Sequence, residues 1–202
     1  MAIRVLMVDV DGVVIRRPDG RRWDHSIELD LGIAPAALQQ HFFAPYWKDI
    51  LVGRAPITER LADALPRFAP HVTPEQLMEY WFARDTGFDQ TLLDDLAMLR
   101  AGGIGVHLAT DQEHRRAAYL WATLGLQDRF DTMHYAADLG ARKIEPAFCA
   151  EVTRRTGFAP HEIGFIDDSA GNITAAQAAG WRGYVWTPES RLAEALAAIG
   201  HP

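Results

Sequence analysis

Two aspartates separated by one residue close the first apolar run of the chain, "IRVLMVDVDGVV", at Asp9 and Asp11. A second apolar run, Ile104–Thr110, ends in Thr110 followed by Asp111, and a third ends in Asp167 and Asp168; Lys143 lies in a loop ahead of Pro146. Open α/β sheets bind ligands outside the carboxyl ends of their strands. If these runs are neighbouring strands, one edge of one sheet collects several carboxylates, a hydroxyl and an ammonium. Crowded carboxylates raise one another's pKa and cannot all stay ionised without a counter-charge. A divalent cation supplies it. The donors are all oxygen, with no His or Cys cluster beside them, so Mg²⁺ is expected rather than zinc. A lysine beside such a metal is what a phosphoryl group needs for charge stabilisation.

The elements that must position these residues follow from the hydrophobic pattern. Ile3–Val8 has no polar alternation, as expected of a strand covered on both faces of a parallel sheet. Ile104–Thr110, Glu162–Asp168 and Gly183–Trp186 repeat the pattern, with a weaker candidate at "DTMHYAA". Helical segments alternate with them: "DQEHRRAAYLWATLG", "EPAFCAEVTRRTG" starting at Pro146 and stopping at Gly157, and "SAGNITAAQAAG" ending at Gly180. The fold class expected is α/β, a Rossmann-like parallel-sheet core with right-handed crossovers. Residues 15–90 are too long and too apolar for a loop. Their helical patterns, broken by Pro35, Pro56, Pro66, Pro70 and Pro74, predict a small helical cap holding Trp23, Trp47 and Trp81. The expected division is a catalytic core of residues 1–14 and 91–202 with a cap of residues 15–90. In the cap, Lys48 and Arg54 are candidates for substrate binding.

A net charge of −7 argues against nucleic acid or an anionic membrane as partner, and 49% hydrophobic composition allows a sizeable core. No run approaches the length of a membrane span. The single cysteine, Cys149, excludes an internal disulfide, and no basic and apolar leader opens the sequence. A cytoplasmic protein, monomer or homodimer, acting on a small phosphorylated metabolite is expected.

The order DVDGVV, LATD, ARKIEP and FIDDSAGN resembles the haloacid dehalogenase superfamily of aspartate-nucleophile phosphotransferases, over nearly the whole chain from Val5 to about Trp186. Within it the sequence looks most like small sugar-phosphate phosphatases of the glucose-1-phosphate phosphatase type. The resemblance implies that Asp9 is the nucleophile that becomes an aspartyl-phosphate, and that Asp11 is the general acid and base. It implies a Mg²⁺ held by the Asp9 carboxylate, the Asp11 carbonyl and one or both of Asp167 and Asp168, with Thr110 and Lys143 binding phosphoryl oxygens. The acid at Asp11 favours phosphate ester cleavage over dehalogenation, since a departing halide needs no proton. Two positions depart from the family pattern: Ile144 follows the motif lysine, so Arg142 could share its role, and Asp111 stands where asparagine is common, near the substrate phosphate. A phosphoglucomutase-like phosphotransferase and a phospho-accepting signalling domain are the alternatives.

Plainer explanations exist for single residues. "VDVDG" alone reads as a hairpin turn, and Thr110, Asp168 or Ser169 as helix N-caps. Asn172 reads as a helix-start hydrogen-bonding residue, Cys149 as a buried inert thiol, and the cap tryptophans as packing. "GGIGVH" lacks the third glycine of a dinucleotide loop. The basic run Arg16–Arg22 reads as a solvated hairpin tip.

Overall fold

The computed structural model describes residues 2–16 and 20–201; Arg17, Pro18 and Asp19, and with them the expected hairpin tip, lie outside the described residues. Five parallel strands form one sheet: β1 (Val5–Val8), β2 (Gly105–Thr110), β3 (Thr132–Tyr135), β4 (Ile163–Asp167) and β5 (Arg182–Val185), in the order β3-β2-β1-β4-β5. β1 is central because it is apolar on both faces, and all four of its residues are fully buried. Leu6 and Val8 pack into a cluster with Leu92, Leu96, Leu108, Phe130 and Ile166, while Val5 and Met7 face Phe148, Val152, Phe165 and Trp181 on the other side. The alternation of neighbouring side chains across a strand thus divides the core into two layers.

The helices fall into two groups. Before β2 come α1 (Ile27–Leu31), α2 (Pro35–Leu38), α3 (Ala44–Leu51), α4 (Ile57–Ala64), α5 (Pro74–Arg84) and α6 (Gln90–Ala101). After it come α7 (His114–Ala118), α8 (Ala136–Leu139), α9 (Pro146–Thr156), α10 (Ala170–Ala178) and α11 (Leu192–Ala198). Their ends carry the chemistry expected of helix termini. Thr73 and Gln76 form a reciprocal capping box at α5, Pro146 occupies the first turn of α9, and Gly157 ends α9 in the left-handed conformation at φ 72°. α2 and α3 are joined by a widened π-helical turn, Gln39–Phe43, where the pattern predicts one helix. Pro45, in the first turn of α3, cannot donate a main-chain bond and crowds the carbonyl one turn back, and the wide turn accommodates it. The expectations above did not include α6 and α11, although the spacing of Leu92, Leu93 and Leu96 on α6 carries the helical signal.

α1 to α5 bury their apolar faces on one another. The cluster of Trp23, Ile27, Phe42, Ile50, Leu61, Leu77 and Phe82 draws all its buried members from residues 23–82, and Trp23 stacks on Trp81 at 4.9 Å between ring centroids. The three tryptophans pack, as expected: Trp81 also meets Trp47 at 5.6 Å. The chain leaves and re-enters the sheet region through paired linkers. Ile15 bridges Phe88, Asp89 N donates to Val14 O at 2.9 Å, and Arg16 Nη1 pairs with Asp89 Oδ2 at 2.7 Å. A second tie is Arg116 of α7, 1% exposed, which donates to the carbonyls of Phe82 and Asp85 at the end of α5. No helix among the described residues is long and apolar enough to cross a membrane.

Phe42 is fully buried in the cluster of residues 23–82. Phe42→Ala is expected to cost about 3–5 kcal/mol through lost transfer energy and the cavity left behind. A urea titration followed by tryptophan fluorescence would show the lowered midpoint.

Candidate active site

The strand register decides what meets at the sheet edge. Val8 lies opposite Leu108 of β2 and Ile166 of β4, so Asp9, one residue on, falls level with Asp167; Asp9 N donates to Ile166 O at 3.0 Å. The chain runs from β1 towards β2 but from β4 towards β5, and the loops diverge between β1 and β4. That divergence makes the crevice where α/β sheets bind ligands. Asp9 and Asp167 form its floor.

Lys143 joins them. Its Nζ lies 2.6 Å from Asp9 Oδ1 and 2.7 Å from Asp167 Oδ2, and all three side chains are at most 5% exposed. Burial pushes the Asp9 carboxyl up to about 8, with Lys143 pulling it down and Asp167 adding to the rise. Burial alone would lower the Lys143 ammonium, but Asp9 and Asp167 outweigh it and hold the lysine above its usual range. Asp168, more exposed, is also raised by partial burial and by the charge of Asp167. One ammonium therefore faces three acids, and burial first, with their mutual repulsion adding to it, holds the carboxyls of Asp9 and Asp168 raised.

Asp9, Asp167 and Asp168 each offer a carboxylate oxygen, and the three atoms lie within 4.8 Å of one another. An oxygen-only set of this size fits a hard divalent cation. Asp167 cannot rotate away: Oδ1 accepts from Ser169 N at 2.8 Å, and Asn172 Nδ2 lies 3.1 Å from both oxygens. Asn172, at the start of α10, thus hydrogen-bonds as expected of it, to an acid of the site. Ser169 caps α10 through Asn172 N.

The turn after Asp11 is closed by Gly12 N donating to Ile15 O at 2.9 Å and Ile15 N to Val10 O at 2.7 Å. Gly12 has φ 84°, and a β-carbon there would stand 2.2 Å from Asp168 Oδ2. Glycine is required twice, for the left-handed backbone and for the close approach of the carboxylate.

Thr110 ends β2 and is 1% exposed. The next three residues each hold a neighbour. Asp111 accepts from Lys143 N at 2.9 Å and from Arg142 Nε at 3.4 Å, so it braces the lysine loop. Gln112 Nε2 donates to Asp11 Oδ2 at 2.6 Å. Glu113 caps α7 through the main-chain N–H groups of Arg115 and Arg116, and burial raises its carboxyl. Lys143, not the half-exposed Arg142, is the cation that reaches Asp9 and Asp167. Gln112 carries no expectation from the sequence, because a glutamine before a helix has no signature that distinguishes it from a solvated one.

Lys48 and Arg54 stand elsewhere. Lys48 is exposed on α3, Arg54 pairs with Asp49 at 2.8 Å, and among the described residues neither is paired with Asp9, Asp167 or Asp168. The turn between them does approach the sheet domain: a β-carbon on Gly53 would stand 2.5 Å from Ala137 O. Cys149 is buried and its thiol is pushed up to about 11 by burial, an inert group as expected. His107 and His134, on adjacent strands, meet at 3.2 Å, and burial lowers His134 to about 4. This contact arises from strand pairing and leaves no mark in local spacing.

The family model for haloacid dehalogenase-like hydrolases matches residues 3–180. The chain belongs to that family. It is 29% identical over 203 residues to the phosphoglycolate phosphatase of Pectobacterium atrosepticum, covering 96% of this chain and 85% of that one. A haloacid dehalogenase family enzyme from Bacteroides thetaiotaomicron, solved as a magnesium complex, superposes with a TM-score of 0.81 at 22% identity, covering 96% of this chain and 98% of that one. The same enzyme solved with magnesium and inorganic phosphate gives a TM-score of 0.79 at 21% identity, with the same coverage. These two structures bear on the fold, and they share the α/β architecture expected from the sequence.

Gly12→Ala is expected to cost about 1–3 kcal/mol, because it forces a side chain into the left-handed region and against Asp168. Displacing that carboxylate should weaken divalent cation binding about tenfold or more. Calorimetric cation titration beside thermal unfolding would measure both.

Proposed function

We propose that this hydrolase is a Mg²⁺-dependent phosphatase that cleaves a small phosphorylated metabolite through an aspartyl-phosphate on Asp9. The observation that carries the reading is the buried Lys143 ammonium bridging Asp9 and Asp167, with Asp168 completing an oxygen-only set beside it. Relatives named as phosphoglycolate phosphatases support the phosphatase assignment, as does the neighbour solved with magnesium and phosphate. A signalling domain that merely accepts phosphate gains no support from a hydrolase family, and no observation favours a mutase.

Asp9 attacks phosphorus as the ester P–O bond breaks, and the bonding pair leaves with the ester oxygen. Asp11, two residues on in the same turn, gives that oxygen a proton and afterwards takes one from the water that hydrolyses the acyl phosphate, returning Asp9. Lys143 and the Thr110 hydroxyl bind phosphoryl oxygens. Asp111 acts on the substrate through the lysine loop it braces. Asp9, Asp167, Asp168 and the Asp11 carbonyl would hold Mg²⁺, which supplies positive charge against the transferring phosphoryl group. Residues 15–90 are read as the cap of a core formed by residues 1–14 and 91–202, with Lys48 and Arg54 its candidates for substrate selection. The substrate class is a small phosphomonoester, with sugar phosphates and phosphoglycolate the first to test.

Phosphate release should be measured across those esters and 4-nitrophenyl phosphate. Chelation of divalent cations is expected to abolish it, with recovery on adding Mg²⁺. Asp9→Asn is expected to lower kcat by about 10⁴-fold or more, the scale of losing a covalent nucleophile. Full metal-dependent turnover in Asp9→Asn would sink the mechanism.

A further inference from the structure

Gln112 belongs to none of the sequence motifs, yet it is a side chain that engages Asp11. The amide is 5% exposed and its Nε2–H donates to Asp11 Oδ2 at 2.6 Å. The segment that carries it is held at three points. The Gln112 carbonyl accepts from Ala137 N at 3.1 Å, the preceding Asp111 grips Lys143 N, and the following Glu113 caps α7. A buried amide on so anchored a backbone has few alternative rotamers.

We propose that Gln112 is the positioning residue for Asp11, fixing the rotation of its carboxyl group so that the proton lies in line with the departing ester oxygen. The inference rests on the reading of Asp11 as the general acid. The residue type suits the task. The amide –NH₂ can only donate, so it selects one orientation of the carboxyl relative to itself. It is also neutral, so it orients the carboxyl without adding a charge beside the clustered acids. Gln112 touches neither phosphorus nor the leaving group; it acts through Asp11.

The step that depends on this alignment is phosphoryl transfer to Asp9. The Asp9–phosphorus bond forms, the ester P–O bond breaks, and the electron pair leaves on an oxygen that takes the Asp11 proton. A misaligned Asp11 leaves that oxygen to depart as an anion. A nitrophenolate is stable enough to do so, but a phenolate is less stable and an alkoxide far less. Loss of positioning therefore shows as a steeper dependence of rate on the leaving group, a signature that general destabilisation does not produce.

The test compares kcat/KM, which reports events through phosphoryl transfer, for 4-nitrophenyl phosphate, phenyl phosphate and 2-phosphoglycolate with Mg²⁺ present. In Gln112→Met, similar in size but without the N–H, kcat/KM is expected to fall about tenfold or more for phenyl phosphate and phosphoglycolate. For 4-nitrophenyl phosphate the fall should be less than about threefold, since little proton transfer is needed. Gln112→Asn, which keeps the amide but is one methylene short, should show the same bias and decides the matter if Gln112→Met does not fold. Asp11→Asn serves as reference. If Asp11→Asn itself shows no leaving-group bias, the assignment of Asp11 as acid is wrong. If Asp11→Asn shows the bias but the Gln112 variants lose all three substrates equally, or lose none, the positioning role is overturned.

Discussion

Everything at the sheet edge answers to one electrostatic constraint, the burial of Asp9 and Asp167 around the single ammonium of Lys143. Taking charges out of water costs several kcal/mol per ion even after relaxation, and mutual attraction repays that only when geometry is close and the remaining lone pairs are bonded. The surrounding structure meets both conditions. Ser169 N and Asn172 satisfy Asp167, Val10 N donates to Asp9 Oδ1 at 2.7 Å, and Asp111 fixes the main chain of the lysine. Such an arrangement stabilises little by itself. It is held in place by the apolar strands beneath it, which bury completely and set Asp9 level with Asp167.

The same constraint explains what could be read from the sequence. Strands buried on both faces must be largely apolar, so β1, β2 and β4 stand out, and the polar residues at their carboxyl ends are conspicuous because, His107 apart, the strands leading to them are apolar. Lys143 stands out by its place ahead of a proline-started helix, and in the structure its ammonium meets Asp9 and Asp167 while the Arg142 guanidinium meets Asp111. What stayed hidden depends on contacts across the chain. The Gln112–Asp11 bond spans 101 residues, and the His107–His134 contact follows from pairing of β2 with β3. No local period encodes either. The π-helical turn before Pro45 is a third case: proline announces a disturbance, but not whether the helix ends or widens to pass it.

Residues 23–82 solve a different problem. Their helices are short, α1 having five residues and α2 four, and such helices are marginal in water without tertiary packing. They become stable by burying a shared aromatic cluster that owes little to the sheet. Among the described residues the join to the sheet includes the paired linkers with Arg16 and Asp89, the Arg116 guanidinium at the end of α5, the Tyr119 ring against Phe82, and the close approach of Gly53 to Ala137.

That last contact ties the two parts to the chemistry. The backbone of Ala137 is engaged on both sides: its N–H bonds the Gln112 carbonyl, and its own carbonyl lies where a β-carbon on Gly53 would collide. Gly53 has φ 72°, so its lack of a side chain serves both the turn and the approach. The Thr110–Glu113 segment is therefore a joint with three attachments, to Lys143 through Asp111, to Asp11 through Gln112, and to the helical unit by way of Ala137. A displacement of the helical unit at Gly53 would bear on Ala137, the residue that steadies the Gln112 carbonyl. Close packing transmits such displacements because a filled interior has no room to absorb them. Asp11 and the close approach at Gly53 thus meet through one short loop, which is why a glutamine outside every motif stands so near the clustered acids.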